Sequence, residues 1–560
     1  MVPVISAPPG RRPLLVRGCA VAAVSALALA ACSDGGGGGS SAAGEPVDLT
    51  CAVDDYAADE QFTSPEPMEV SMLWTDWPEA PVKDTWQLFD EIEERTNVRI
   101  TTTHIPFSDA LEKRSLLISA GDAPTVIPLV YTGDERQYAA SGAVLPMSEY
   151  VDYMPNFQRY SEEWDLTGML DNLRQDDGRY YMAPGLQEVS VPTFTLIIRK
   201  DVFDEVGAPA PETWEDLRTG LELVKEKYPD SLPLADGFEG AAMLNYAAHA
   251  FGTVAGWGFG NGMFYDEATG EFDYAGTSDG YRDMLEYFHG LAEDGLLDTE
   301  SFVAPNDGTG TVIEKVAAEQ VFAASGASGT VQEFATALDA AGVTDYELLQ
   351  VAPPAGESGD TVEPRNFWNG FMITSQAADD PDLCSTVQFL DWLYYNPDAR
   401  EMLQWGVEGE TYTKDADGTI TLDPGHSYEA YNLNVGTGTT DIKKDLGFGS
   451  DVLAGSSESR ALKESYNQPE FVEYVDTVLE TRTPRAPFPP APLDELELEQ
   501  ASLLGTPLKD TVDTATLQFI LGDRDLGEWD AYVSQLESQG LPGYVDLVNG
   551  ARERFAADNG

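Results

Sequence analysis

Basic residues are scarce in this sequence: its 560 residues carry 32 lysines and arginines against 97 acids, for a formal charge of −65. A field of that sign repels nucleic-acid phosphates and anionic membrane surfaces, which excludes DNA and RNA as partners. Histidine is scarcer still. His104, His249, His289 and His426 stand alone, none with a second His, Cys or carboxylate at zinc-motif spacing. There is no phosphate loop and no complete dinucleotide fingerprint; GWGFGNG (Gly256–Gly262) is glycine-rich, but its spacing does not fit GxGxxG. No metal or cofactor is therefore expected. The four cysteines include no Cys-x-x-Cys pair. A long apolar run is also missing. Gly18–Ala31, about 14 residues, falls short of the roughly 20 that span a bilayer.

That short run has another reading. Arg11, Arg12 and Arg17 precede it as a basic n-region, so residues 1–31 read as a signal peptide. The run ends in LAAC (Leu29–Cys32), followed by SDGGGGGSS, which resembles the lipobox of bacterial lipoproteins. The resemblance implies cleavage before Cys32 and acylation of its thiol by diacylglycerol and palmitate-type chains. The protein would then be held on the outer face of the cell membrane by lipid alone. The alternative is an ordinary signal peptide with an incidental cysteine. Cys51 and Cys384 then remain, and their sequence separation leaves pairing open. Residues 32–66, rich in Gly, Ser, Asp and Pro, read as the lipidated cysteine and a flexible tether.

Strands and helices then alternate. Met68–Trp74, Val98–Ile105 and Thr125–Val130 read as strands. Val82, Trp86, Phe89 and Ile92 share one helical face, and Ser108 is placed to cap a helix that stops at Gly121. Such alternation implies a largely parallel sheet. VPTFTLIIRKDVF starts a second series, in which Thr213 caps a helix carrying Trp214, Leu217, Leu221 and Val224 on one side. FYDEATGEFDY is a hairpin, TPRAPFPPAP (Thr483–Pro492) an extended connector, and no internal repeat is present.

Two motifs invite chemistry and fail on context. GTSDG (Gly276–Gly280) matches GxSxG, but a hairpin arm precedes it, and Ser278 or Asp279 reads better as a helix cap. DADGTI resembles part of a calcium loop. With Gly418 at position 6, however, Thr413 and Pro424 fall where the first and bidentate acids belong, so a hairpin turn is expected. Aromatic residues beside turns carry more information. Trp74, Trp77, Tyr131, Trp257, Trp368, Trp405 and Tyr412 lie at strand ends or among glycines, where ligands bind in open α/β sheets. Their faces suit sugar rings, with Asp, Asn and Glu reaching the hydroxyls.

In order along the chain, SAGDAPTVIPL, YAASGAVLPMSEYV, GRYYMAPG, LIIRKDVFDEVGAPAPETWEDL, FLDWLYYNPDAREMLQWGVEGETY and FILGDRDLGEWDAYVSQLESQGLPGYVDLVNGARERF resemble the extracellular solute-binding proteins of bacterial ABC importers, in their lipid-anchored carbohydrate branch. The resemblance implies an α/β, type II periplasmic-binding-protein-like fold: two lobes of mixed sheets flanked by helices, with the ligand held between them. Residues 67–182 with about 366–402 would form the first lobe, and 183–365 with about 403–560 the second. An oligosaccharide or related polar solute would be the ligand, the permease transmembrane subunits the partners, and the protein a monomer without catalysis. The implied contacts are Thr75, Asp76 and Trp77; Tyr131 to Asp134; Gln187 and Glu188; and Trp257, Trp368, Asn369 and Trp405, with Trp74 and Tyr412 beside them. Where some relatives carry an acidic calcium loop, this chain reads EKYPDSLPLADG, so no structural calcium is expected. The rival readings are a secreted polysaccharide hydrolase or lyase, and an adhesive surface protein.

Overall fold

The computed structural model describes residues 47, 49–78, 80–304, 310–428, 433–434 and 439–559. The signal peptide and Cys32 lie outside the described residues.

From β1 (Met68–Asp76) the chain passes through the helix Gln87–Thr96 to β2 (Val98–Pro106), and through the helix Ala110–Ala120 to β3 (Val126–Val130). β1 pairs in parallel with both β2 and β3. Short helices lead to β4 (Ala183–Gly185), and the chain then crosses to β5 (Thr195–Arg199). The second series adds β6 (Leu234–Ala235), a hairpin of β7 (Met263–Asp266) and β8 (Glu271–Tyr274), β9 (Ala323–Gly326) and β10 (Leu348–Gln350). β11 (Thr361–Val362) lies on the way back to β12 (Trp368–Ile373), which inserts antiparallel between β3 and β4. The first sheet thus runs β2-β1-β3-β12-β4 and the second β10-β5-β9-β6. The second sheet is mixed, since β5 is antiparallel to β9 and β10 while β6 is parallel to β9.

Each of the two sheets packs in its own large core. One joins Val70, Met72, Trp74 and Trp86 to Phe371 and Trp392; the other joins Leu196, Trp214 and Phe288 to the three C-terminal helices through Phe519, Trp529 and Tyr544. A smaller core at the crossings packs Val191 and Ala352, from two connecting segments, against Phe471, Tyr474, Val475 and Val478 of a third. The crossing is tied by Arg365, which donates to the carbonyls of Trp164, Gln187 and Glu188.

Local expectations hold where a side chain acts on its own neighbours. Thr213 and Asp216 form a reciprocal capping box, Ser278 accepts from the Tyr281 N–H, and DADGTI turns between β13 (Tyr412–Lys414) and β14 (Ile420–Leu422). Three details differ. The first helix starts only at Gln87, so Val82 and Trp86 precede it. Ser108 does not cap; its hydroxyl donates to Asp109 instead.

The third difference concerns boundaries. Residues 403–466 pack in the first core through Trp405, Tyr428, Phe448, Leu453 and Tyr466, rather than with the second lobe, because their apolar faces cover the helices 383–405. The second half of the expected tether is also committed. Phe62 is in the first core, and Cys51 is disulfide-bonded to Cys384. The Tyr56 hydroxyl donates to Asp391 at 3.1 Å. That fully buried carboxylate also accepts from the Asn156 amide side chain and from the Asn156 and Phe157 backbone N–H groups. Burial pushes its pKa up to about 6 despite these donors.

Candidate ligand cleft

The C-terminal ends of the parallel strands shape the first-lobe face. Thr75, Trp77, Phe107, Tyr131 and Asp134 line a hollow of about 640 Å³ there. Trp77 stacks on Phe107 with ring centroids 5.3 Å apart. Beyond Pro128 the backbone turns left-handed at Leu129 (φ 55°), and the Leu129 carbonyl accepts from Arg114 at 3.0 Å. The same guanidinium pairs with Asp134 at 2.7 Å. Asp76 is similarly engaged, by the Val82 N–H at 3.0 Å and by His104 at 3.6 Å. Both carboxylates therefore act first as local braces.

Insertion of β12 beside β3 brings two more predicted residues to this edge. Trp368, 41% exposed, meets the 48%-exposed Tyr131 edge to face at 6.0 Å. Asn369 is buried, its side chain faces the Tyr131 hydroxyl, and its Oδ1 has no partner among the described residues. A buried carbonyl oxygen left open is an acceptor ready for a ligand hydroxyl.

Trp368 also borders a cavity of about 290 Å³ at the crossing, reached from both lobes by Gln187, Ser328, Asp451, Glu458 and Lys463. Ser328 opens the helix after β9 and donates to Asn467 at 2.9 Å. Glu458 accepts from the Tyr466 hydroxyl, and Asp451 pairs with Lys443. Gln187 donates to the Ser456 carbonyl at 3.2 Å. Glu188 is exposed but committed, accepting the Arg460 N–H at 2.6 Å.

On the second lobe the glycine-rich segment presents an aromatic. A Cβ at Gly256 (φ 54°) would sit 2.0 Å from the Ala241 carbonyl oxygen, and one at Gly258 2.3 Å from Asn245 Oδ1. Only glycine lets this turn lie flat on the helix Ala241–Ala250, leaving Trp257 45% exposed above it. Phe194 and Phe238 flank that indole edge-on at 4.9 and 5.2 Å, and Phe194 adjoins Thr193 of the crossing cavity.

Three predicted contacts are corrected. Trp405 is 2% exposed, donating its indole N–H to Ser465 at 2.9 Å among the rings of Tyr412 and Tyr428. Tyr412 is buried with its hydroxyl on Glu401. Trp74 lies edge-on against Trp86 and Phe89, because β1 is covered on both faces and has no open side. Proximity to glycines did not distinguish a core ring from an exposed one. Sequence reasoning missed Phe107, Phe194, Phe238 and Ser328; for Phe107 and Phe194, a position directly beside a strand end was the available signal.

Residues 87–417, more than half of the chain, match the family described as bacterial extracellular solute-binding protein. The chain belongs to that family. It is similar to the fructooligosaccharide ABC transporter substrate-binding protein FusA of Streptococcus pneumoniae serotype 4, at 24% identity over 507 residues, 84% of this chain and 87% of that protein. The polygalacturonan/rhamnogalacturonan-binding protein YtcQ of Bacillus subtilis is 21% identical over 502 residues, 88% of this chain and 92% of that one. Among solved structures, the alginate-binding protein AlgQ2 without calcium ion superimposes with a TM-score of 0.66 at 18% identity, covering 88% of this chain and 99% of that chain. The shared fold is the two-lobed one. Among the described residues no three His, Cys, Asp or Glu side chains group as metal ligands, and no helix is long and apolar enough to cross a membrane.

Proposed function

We propose that this chain is the substrate-binding lipoprotein of an ABC transporter. It is anchored outside the cell membrane through Cys32, acts as a monomer, captures an oligosaccharide and delivers it to permease transmembrane subunits. One observation carries the reading: exposed aromatic rings stand on both lobes, Tyr131 and Trp368 on the first and Trp257, flanked by the half-buried Phe194 and Phe238, on the second, beside a crossing cavity of polar side chains. That FusA serves fructooligosaccharide transport and YtcQ binds polygalacturonan and rhamnogalacturonan supports the ligand class.

The mechanism is binding without bond cleavage. Sugar ring faces displace water from the indoles, while hydroxyls pair with groups such as Asn369 Oδ1 and the Ser328 hydroxyl. Closure of the lobes about the three crossing segments completes the site and marks the protein as loaded. A micromolar complex needs about −8 kcal/mol, within reach of a few stacked rings and a paired polar set.

Calorimetric titration with neutral and acidic oligosaccharides tests this. Saturable binding of a glycan without release of reducing ends is expected, weakened about tenfold, or roughly 1.4 kcal/mol, in Trp257→Ala and Trp368→Ala. Steady release of reducing ends by the purified protein would favour the hydrolase reading instead.

A further inference from the structure

The two spaces that meet at the Tyr131–Trp368 ring pair differ in chemistry. The crossing cavity, bordered by Trp368, offers Gln187, Ser328, Asp451 and Lys463, all able to pair with hydroxyls. The hollow of about 640 Å³, bordered by Tyr131, is instead walled largely by Leu73, Trp77, Ile105, Phe107, Leu111 and Leu129. The two rings touch edge to face at 6.0 Å, so one molecule lying across them reaches both spaces.

The charged side chains of the hollow are spent on their own neighbours. Arg114 pairs with Asp134 at 2.7 Å and donates to the Leu129 carbonyl at 3.0 Å. Asp109 accepts from the Ser108 hydroxyl at 2.8 Å and lies 3.6 Å from Lys113. A sugar hydroxyl placed there would give up water for few partners, whereas a hydrocarbon group would gain by leaving water. The helix Ala110–Ala120 is also inverted: it buries Arg114, although bases are scarce in this chain, and turns Leu111 outward at 66% exposure. Phe107, directly after β2, is 56% exposed and stacks on Trp77. A single exposed leucine is ordinary, but Leu111, Phe107 and Tyr131 all open on one concavity, which marks a place for an apolar group. About 150 Å³ of apolar space suffices for a benzene ring, so the hollow has ample room.

We propose that the ligand is a saccharide bearing a neutral apolar substituent, an aryl ring or alkyl chain, with the sugar at the crossing and the substituent in this hollow. The inference rests on the cleft reading and narrows it from a wholly polar solute to an amphipathic glycoside. Asp109, Glu112 and Asp134 on the wall oppose an anionic substituent such as a fatty-acid carboxylate.

The test uses N-phenyl-1-naphthylamine, a neutral apolar dye that brightens on leaving water, titrated into the full chain. One saturable site is expected, weakened about tenfold or more in Leu111→Asp and in Phe107→Ser. Both positions are exposed enough for these variants to fold. Leu503→Asp, at an equally exposed leucine on the helix Glu495–Leu521, should bind the dye like the parent. Methyl, butyl and hexyl glucosides, galactosides and fructosides then compete with the dye. Each methylene that enters the hollow should tighten competition about fourfold. This dependence on chain length disappears in Leu111→Asp. Hexyl glycosides that compete no better than 1-hexanol overturn the proposal, because the apolar site then has no sugar site beside it. Calorimetric binding of an unsubstituted oligosaccharide, with no dye site and no gain from the alkyl chain, also overturns it and leaves the cleft reading standing.

Discussion

Replacing Trp405 by alanine separates a core role from a ligand role at the residue where sequence and structure disagree most. The indole is 2% exposed in the first-lobe core, and its N–H bonds Ser465. Ser465 also donates to the Leu462 carbonyl at 2.6 Å, so truncation leaves no stranded hydroxyl, and the cost is mainly lost apolar contact plus a cavity. Buried Trp→Ala changes cost about 3–5 kcal/mol. At roughly 2–4 °C per kcal/mol for a lobe of this size, a fall in Tm of about 6–20 °C is expected. Trp368→Ala, at a 41%-exposed ring, should cost under about 1 kcal/mol and leave Tm nearly unchanged. Scanning calorimetry and glycan titration below the transition, run on both variants, give the comparison. Trp405→Ala is expected to lose stability while binding within about twofold of the parent, and Trp368→Ala the reverse. A Trp405→Ala protein with parental Tm and tenfold weaker binding would refute the burial argument.

The disulfide and the buried carboxylate give two further tests. Cys51 and Cys384 are 333 residues apart, so reduction or a Cys51→Ser/Cys384→Ser pair should cost about 2–5 kcal/mol in urea unfolding; an unchanged midpoint would contradict the bond's structural role. Asp391 is pushed up to about 6 when folded, against about 4 unfolded. Its contribution is fully present below pH 4 and is lost as pH rises through 6, a change of about 3 kcal/mol. Asp391→Asn removes this titration, so the parent's stability relative to the variant should fall by that amount between pH 4 and 7. A difference that stays constant with pH would rule the raised pKa out.

Much of the architecture was legible because it is written locally. Thr213 and Ser278 cap their helices by side chains reaching three residues on, the DADG turn closes on itself, and Gly121 ends its helix in a left-handed conformation. Trp77 and Tyr131 were placed by the rule that strand ends carry sites, and Thr75 and Trp368 by the family resemblance; the sheet brings all four to one edge. The remainder depends on partners far along the chain. Nothing near Trp405 in sequence announces Tyr428 and Ser465 closing over it. Insertion of β12 between β3 and β4 likewise joins segments separated by the whole second lobe. The unpartnered Oδ1 of Asn369 is likewise visible only once its surroundings are known.

The most direct test of the central claim is small-angle scattering of the protein titrated with the oligosaccharide that calorimetry identifies. A saturable decrease in radius of gyration, at the calorimetric affinity and weakened about tenfold in Trp257→Ala and Trp368→Ala, is the result expected of a two-lobed receptor closing on a sugar. Saturable binding unaffected by either substitution, with no change in shape, would contradict a ligand held between these lobes.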